Sequence, residues 1–232
     1  VDYKLDTGME VADRFLDDLL AAVDSSDPNS LVAEAYNVLK DWDGATNADS
    51  KGAVLFARWY DKLDDDMFAA PWSIDRAVST PDGLNNPSEA VKLLAEAAKE
   101  VKDIYGSLDV EWGEVNRFRV AGIEFPGNGG EGRYGIFRTM HFAPDESLSP
   151  DNDTKSYRKY TFHGDTFVAV VEFGDVVKAE VLLSYGNATQ PGNRFAGDQL
   201  EMLSQKKMTN ALLSRDDVLE NITFKEILKG CQ

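Results

Sequence analysis

The sequence predicts an α+β fold: a mainly helical region, residues 1–107, followed by a mainly β region of antiparallel sheet, residues 108–232, forming one structural unit. Two observations predict it. Up to about Ile104, apolar residues recur at helical spacing with charged residues between them. Beyond about Leu108, β-branched and aromatic residues gather in short runs separated by glycine, asparagine and aspartate. With 232 residues and 43% hydrophobic content the chain can bury a sizeable core, so a globular protein is expected.

In the first region, Met9, Val11, Ala12, Phe15, Leu16, Leu19, Leu20 and Val23 mark an amphipathic helix from Thr7 to about Val23. A second helix is expected after Ser26, Asp27 and Pro28; it carries Leu31, Ala35, Val38 and Leu39 and stops near Gly44. Ser50 is placed to cap a third, with Val54, Leu55, Trp59 and Leu63 on one face. The pattern fades from Met67 to Pro81. Asn86-Pro87-Ser88-Glu89 then opens a strong helix whose buried face is Val91, Leu94, Ala95, Ala98, Val101 and Ile104, with Gly106 placed to end it.

In the second region, Phe118 to Phe125 reads as one strand, and the glycine-rich turn Gly127 to Gly135 leads to another from Tyr134 to Phe142. Pro144 to Lys155 is a long exposed loop. Thr161 to Phe173 and Val176 to Tyr185 read as two strands of a hairpin turning at Gly174-Asp175, and Asp198 to Lys207 as a helix.

Charge narrows the function classes. There are 41 acidic and 24 basic residues, a net charge of −17, with the acids spread along the chain. Such a surface repels phosphate backbones and anionic lipid, so nucleic-acid and membrane partners are not expected. No apolar run approaches the roughly 20 residues that span a bilayer, and no basic, apolar leader opens the chain. Cys231 is the one cysteine, which leaves no internal disulfide and no thiolate metal cluster.

The candidate constellations all have bland readings that outweigh the chemical ones. His141 and His163 are too few and too isolated for a zinc site. Ser184, His163 and Asp165 could compose a triad on paper, but no G-x-S-x-G elbow is present. Pro126 to Gly135, PGNGGEGRYG, could cradle phosphate with its backbone, yet it lacks the Lys-Ser/Thr of a P-loop, so a strand-linking turn is favoured. Asp64-Asp65-Asp66 and Asp151-Asn152-Asp153 lack the spacing of a calcium loop. Asn187, Gln190, Arg194, Asp198 and Gln199 cluster after the last long strand, and are read first as a loop tied down by its own hydrogen bonds.

Several segments carry a family resemblance. Leu39 to Tyr60, LKDWDGATNADSKGAVLFARWY, and Ser79 to Leu84, STPDGL, resemble paired-helix motifs of the penicillin amidase family, in its branch of aculeacin A and acyl-homoserine-lactone acylases. Leu108 to Arg138 is similar to that family's "W-G-x-V-x-R … P-x-x-G-G" strand and turn, with Trp112-Gly113 and Gly129-Gly130 in register. His163 to Asp175 and Ala179 to Ser204 resemble its closing strands, with Thr166 for the usual Ser and Ala188 near another.

The resemblance implies the C-terminal part of the β-chain of an N-terminal-nucleophile hydrolase, contributing to an αββα sandwich. Such enzymes cleave an acyl-amide bond, as in a β-lactam, a lipopeptide or an acyl-homoserine lactone, through a serine whose own α-amino group is the base. Val1 offers no hydroxyl or thiol, and the "N-A-N-D-S" segment that holds the family's oxyanion asparagine has no counterpart here. The resemblance therefore assigns no catalytic, cofactor-binding or metal residue to this chain, and no cofactor. Its expected partners are the α-chain and the N-terminal part of the β-chain, with a small acylated amide as the substrate of the whole. It also implies a periplasmic or secreted bacterial protein, and a chain inactive alone that exposes apolar surface, with self-association or modest stability expected. The alternative is a non-catalytic binding or interaction module built on an acylase-like sheet.

Overall fold

The computed structural model describes residues 2–23, 30–145, 157–190 and 192–226. Four helices build the first region: α1 (Glu10–Ala22), α2 (Leu31–Lys40), α3 (Ala53–Tyr60) and α4 (Pro87–Tyr105). The signals at the ends of α4 work as read: Asn86 Oδ1 accepts from the Glu89 amide at 3.2 Å, Pro87 opens the first turn, and Gly106 closes the helix at φ 80°. Ser30 caps α2 through the Ala33 amide, 3.1 Å; the expected start at Ser26 to Pro28 lies outside the described residues. Ser50 does not cap α3. Its hydroxyl accepts from the Asn47 amide at 3.1 Å, and Gly52 takes the capping position, where a Cβ would lie 2.7 Å from that of Trp42.

These helices bury one apolar cluster in which Phe15, Phe56 and Trp59 are fully buried, each contributing about 2–3 kcal/mol of transfer free energy. The cluster does not stop at the end of the helical region. Trp112 and Val115, from the short α5 (Trp112–Val115), belong to it, as do Tyr134 and Ile136. Between α3 and α4, a two-stranded sheet of β1 (Phe68–Ala70) and β2 (Asp82–Leu84) spans the stretch where the helical pattern fades.

The second region holds two sheets. The first runs β4-β3-β6-β5, from β3 (Asn116–Val120), β4 (Ile123–Pro126), β5 (Met140–Pro144) and β6 (Lys159–Gly164). Its pairs are antiparallel except β3 with β6, which run parallel. The second, fully antiparallel, runs β7-β8-β9, from β7 (Phe167–Glu172), β8 (Lys178–Leu183) and β9 (Thr209–Asn210). The helices α6 (Leu200–Ser204) and α7 (Arg215–Glu220) complete the order. Leu200 and Leu203 of α6 join Phe118, Met140, Phe142, Val168 and Leu182 in a second core.

Three strands differ from expectation. The single strand read at Phe118 to Phe125 is the hairpin β3/β4, because Ala121 and Gly122 both take positive φ, 50° and 83°, and reverse the chain. The run Thr161 to Phe173 is cut at Asp165-Thr166, sending β6 and β7 into different sheets. Tyr134 to Phe142 is extended only from Met140, since a single 3-10 turn and the Gly135 reversal occupy its start. The hairpin at Gly174-Asp175 forms as read, and the last expected helix shortens to α6. The proposed loop Pro144 to Lys155 lies almost entirely outside the described residues.

Candidate functional site

The β7-β8 ribbon carries apolar side chains on both faces, though on one of them Val170 pairs with Glu180 and Glu172 with Lys178. On one face, Val168 and Leu182 pair across the strands and are buried in the second core. On the other, the cross-strand pairs are Phe167 with Leu183, Ala169 with Val181, and Val171 with Ala179, all six apolar. That face is open to solvent along β7, where Phe167 is 58% exposed and Val171 44%, with Phe173 just beyond them at 86%, and half-buried along β8 at Ala179, Val181 and Leu183. A strand buried on one side alternates apolar with polar residues; one apolar on both sides is built to be covered twice.

A clasp joins α5 to the glycine-rich turn. The indole Nε1 of buried Trp112 donates to the Gly129 carbonyl at 3.0 Å, and the Gly113 amide donates to Ala48 O at 2.8 Å. The turn's amides are spent on structure: Gly127 N donates to Asn116 O (2.7 Å), Gly129 N to Thr46 O (3.1 Å) and Gly130 N to Arg138 O (3.2 Å). With these amides committed to neighbouring segments, the turn links strands. Arg138 is fully buried beside it, and its Nη2 donates to Leu203 O at 2.8 Å. Burial pulls the guanidinium down to about 10, with the Asp165 carboxylate acting in the opposite sense.

Among α3, α4, α5 and the first sheet lies a cavity of about 80 Å³. At its polar side Tyr134 Oη donates to Asp61 Oδ1 at 2.7 Å, and Arg133 pairs with Asp61 (3.0 Å) and Glu131 (2.8 Å). Burial, reinforced by Asp61, holds the Tyr134 phenol far above its ordinary pKa, so it stays protonated as the donor. Lys159 also lines the cavity, and burial lowers its pKa. Sequence reasoning missed Asp61, Tyr134 and Lys159. Lys159 follows Arg158 and Lys155, and no local pattern marks it as the inward-facing member of that charged stretch.

His141 and His163, isolated in sequence, are cross-strand partners on β5 and β6 with ring centroids 5.5 Å apart. Among the described residues no group of three His, Cys, Asp or Glu side chains could hold a metal ion. Ser184, His163 and Asp165 do not assemble as a triad. The Ser184 hydroxyl donates to the backbone carbonyl of Asp165, and the Asp165 carboxylate is taken by Lys4 at 3.0 Å. Asp64, Asp65 and Asp66 lie exposed around a 3-10 turn, and Asp66 O accepts from Asn85. Asp198 accepts from the amide and side chain of Asn187, both at 2.9 Å, and Gln199 Oε1 accepts from Leu183 N at 2.8 Å. Arg194 lies over the Phe195 ring, and Gln190 O accepts from the Asn193 amide. These bonds tie the loop down. Val1, Asp151, Asn152, Asp153 and Cys231 lie outside the described residues. No helix among the described residues is long and apolar enough to cross a membrane.

The penicillin amidase family model matches residues 1–220. Acyl-homoserine lactone acylase PvdQ of Pseudomonas syringae pv. syringae is 27% identical over 216 residues, covering 88% of this chain and 26% of that protein. PvdQ of Pseudomonas syringae pv. tomato is 27% identical over 215 residues, 87% of this chain and 26% of the relative. PvdQ of Pseudomonas savastanoi pv. phaseolicola is 26% identical over 216 residues, again 26% of its length. The chain thus spans about a quarter of the length of the curated relatives it matches.

Proposed function

The chain belongs to the penicillin amidase family, and on that premise we propose that it is a scaffold portion of an acylase that cleaves an acyl-amide bond, with the nucleophile supplied by the rest of the enzyme. The observation that carries the reading is the apolar face of β7 and β8, Phe167, Ala169, Val171, Ala179, Val181 and Leu183, exposed along β7 and half-buried along β8, opposite the buried pair Val168 and Leu182. In an αββα sandwich a sheet of this kind packs against a second sheet about 10 Å away. The share of its relatives' length that the chain spans leaves ample polypeptide to supply that layer.

An acyl-homoserine lactone is the favoured substrate of the whole enzyme, because that is what the relatives' names specify. The reading of the two regions as one unit is supported by Trp112, Val115, Tyr134 and Ile136, which join the apolar cluster of the helices. The enzyme acts in the periplasm or outside the cell, which rests on the family resemblance.

The test is to express the chain with and without the remaining polypeptide and to follow carboxylate release from an acyl-homoserine lactone. The expected result is turnover only from the assembled enzyme, lost when Val181→Asp is placed in its covered layer. Amide hydrolysis by the purified chain alone overturns the reading.

A further inference from the structure

The cavity among α3, α4, α5 and the first sheet plays no part in that reading, and its charged groups are unevenly paired. Arg58 is matched by Glu100 at 2.7 Å, and Arg133 by Asp61 at 3.0 Å and Glu131 at 2.8 Å. Asp61 also accepts from Tyr134. Lys159, on the same wall, makes no ion pair and no side-chain hydrogen bond among the described residues. In a chain with 41 acidic residues against 24 basic ones, carboxylates are not scarce. A half-buried ammonium with no carboxylate in contact has a desolvation cost only partly offset by the more distant Asp61 and Glu131, and an anion in contact would relieve the rest.

The rest of the wall defines that anion. Val54, Val101, Trp112, Val115 and Phe142 are apolar, so a phosphate or sulfate would set oxygens against hydrocarbon without partners. A group with one charged end and an alkyl remainder fits. The volume, about 80 Å³, is near half that of the roughly 150 Å³ cavity that takes up benzene. The enclosed part therefore admits about four to six heavy atoms.

We propose that this cavity is a binding site for a short-chain monocarboxylate, of acetate to butyrate size, with its carboxylate on Lys159 Nζ and its alkyl end against Trp112, Val115 and Phe142. Burial lowers the Lys159 pKa, with Asp61 and Glu131 acting in the opposite sense and Arg58 and Arg133 in the same one; a bound carboxylate adds a counter-charge in contact, which Asp61 and Glu131, both paired with Arg133, do not.

Titration of the full chain with [1-13C]propionate at constant ionic strength, followed by carboxyl chemical shift and thermal midpoint, tests this. Saturable binding is expected, weakened about ten- to a hundredfold by Lys159→Met. Propionamide, of the same shape without the charge, is expected to bind as weakly. Ala57→Leu, which fills the cavity and keeps the lysine, is expected to abolish binding. Lys159→Met removes an unpaired charge and so is expected to fold at least as well as the parent. Should either variant fail to fold, the contrast between propionate and propionamide on the unaltered chain decides. Absence of saturable binding, unchanged affinity in Lys159→Met, or chloride or phosphate binding as tightly as propionate overturns the proposal.

Discussion

The Trp112 indole and the Gly129 carbonyl, 3.0 Å apart, join the two sequence motifs that lie 17 positions from one another, and they do so in the buried interior. Trp112→Phe keeps a ring in the core but leaves that carbonyl without its donor. A buried acceptor so orphaned costs about 1–3 kcal/mol. Urea unfolding should show that loss at an unchanged slope; equal stability would mean that water replaces the indole.

Gly129 itself is constrained twice. Its φ is 75°, and a Cβ would sit 2.5 Å from Arg138 O. Gly106 has a similar φ of 80° and nothing within 4 Å of a Cβ. Gly106→Ala is therefore expected to cost about 1 kcal/mol from backbone strain alone. Gly129→Ala, which adds a clash with backbone, is expected to cost at least about 2 kcal/mol more or to prevent folding. Parallel thermal melts of the two variants measure the difference, and similar midpoints would contradict the clash.

The two faces of β8 should respond differently. Leu182 is fully buried, so Leu182→Ala is expected to cost about 2–5 kcal/mol. Val181, on the other face in the register and half-buried, should be less sensitive, and Val181→Asp is expected to change the chain's own stability by about 1 kcal/mol. The same substitution should reduce self-association of the isolated chain in light scattering. A strictly monomeric parent chain would count against an uncovered face.

Glu100 gives a pH signature. Its carboxyl lies below its ordinary value chiefly because Lys62 Nζ donates to it at 2.7 Å, with Arg58 adding a second bond at 2.7 Å. A carboxylate with a lowered folded pKa contributes stability that is present above its unfolded value of 4.5 and is lost as pH falls through the folded one. The stability difference between the parent and Glu100→Gln is thus expected to be level from pH 8 to about 5 and to close below about 4. The residue is partly exposed, so the difference is small and shrinks with salt. A difference that persists unchanged at acid pH would show that the ion pairs are not its source.

Much of the helical region was legible because each helix carries its own evidence. The apolar stripe of α4, Leu94, Ala98 and Val101, and its ends at Asn86 and Gly106, all lie within one short stretch of chain. The strands were legible as β-rich sequence but not as partners. Nothing between Thr161 and Phe173 announces that the chain leaves one sheet at Gly164 and enters another at Phe167, and the hairpin at Ala121-Gly122 lacks the usual Asn-Gly pair. His141 and His163 were read as isolated because 22 positions separate them, yet the register of β5 and β6 makes them neighbours.

By itself, then, the sequence determined the α+β class, the helices of the first region with both ends of α4, and the family motifs, since propensity, capping and periodicity act within a few residues of one another. Only the tertiary structure decided that β7 and β8 bury Val168 and Leu182 on one side and leave Phe167 and Val171 exposed on the other, that Ser184 and Asp165 meet through the backbone instead of as a triad, and that Lys159 lines a cavity with no ion pair among the described residues. Burial, cross-strand register and charge pairing depend on which distant segments are brought together, and that is settled by the packing of the whole chain.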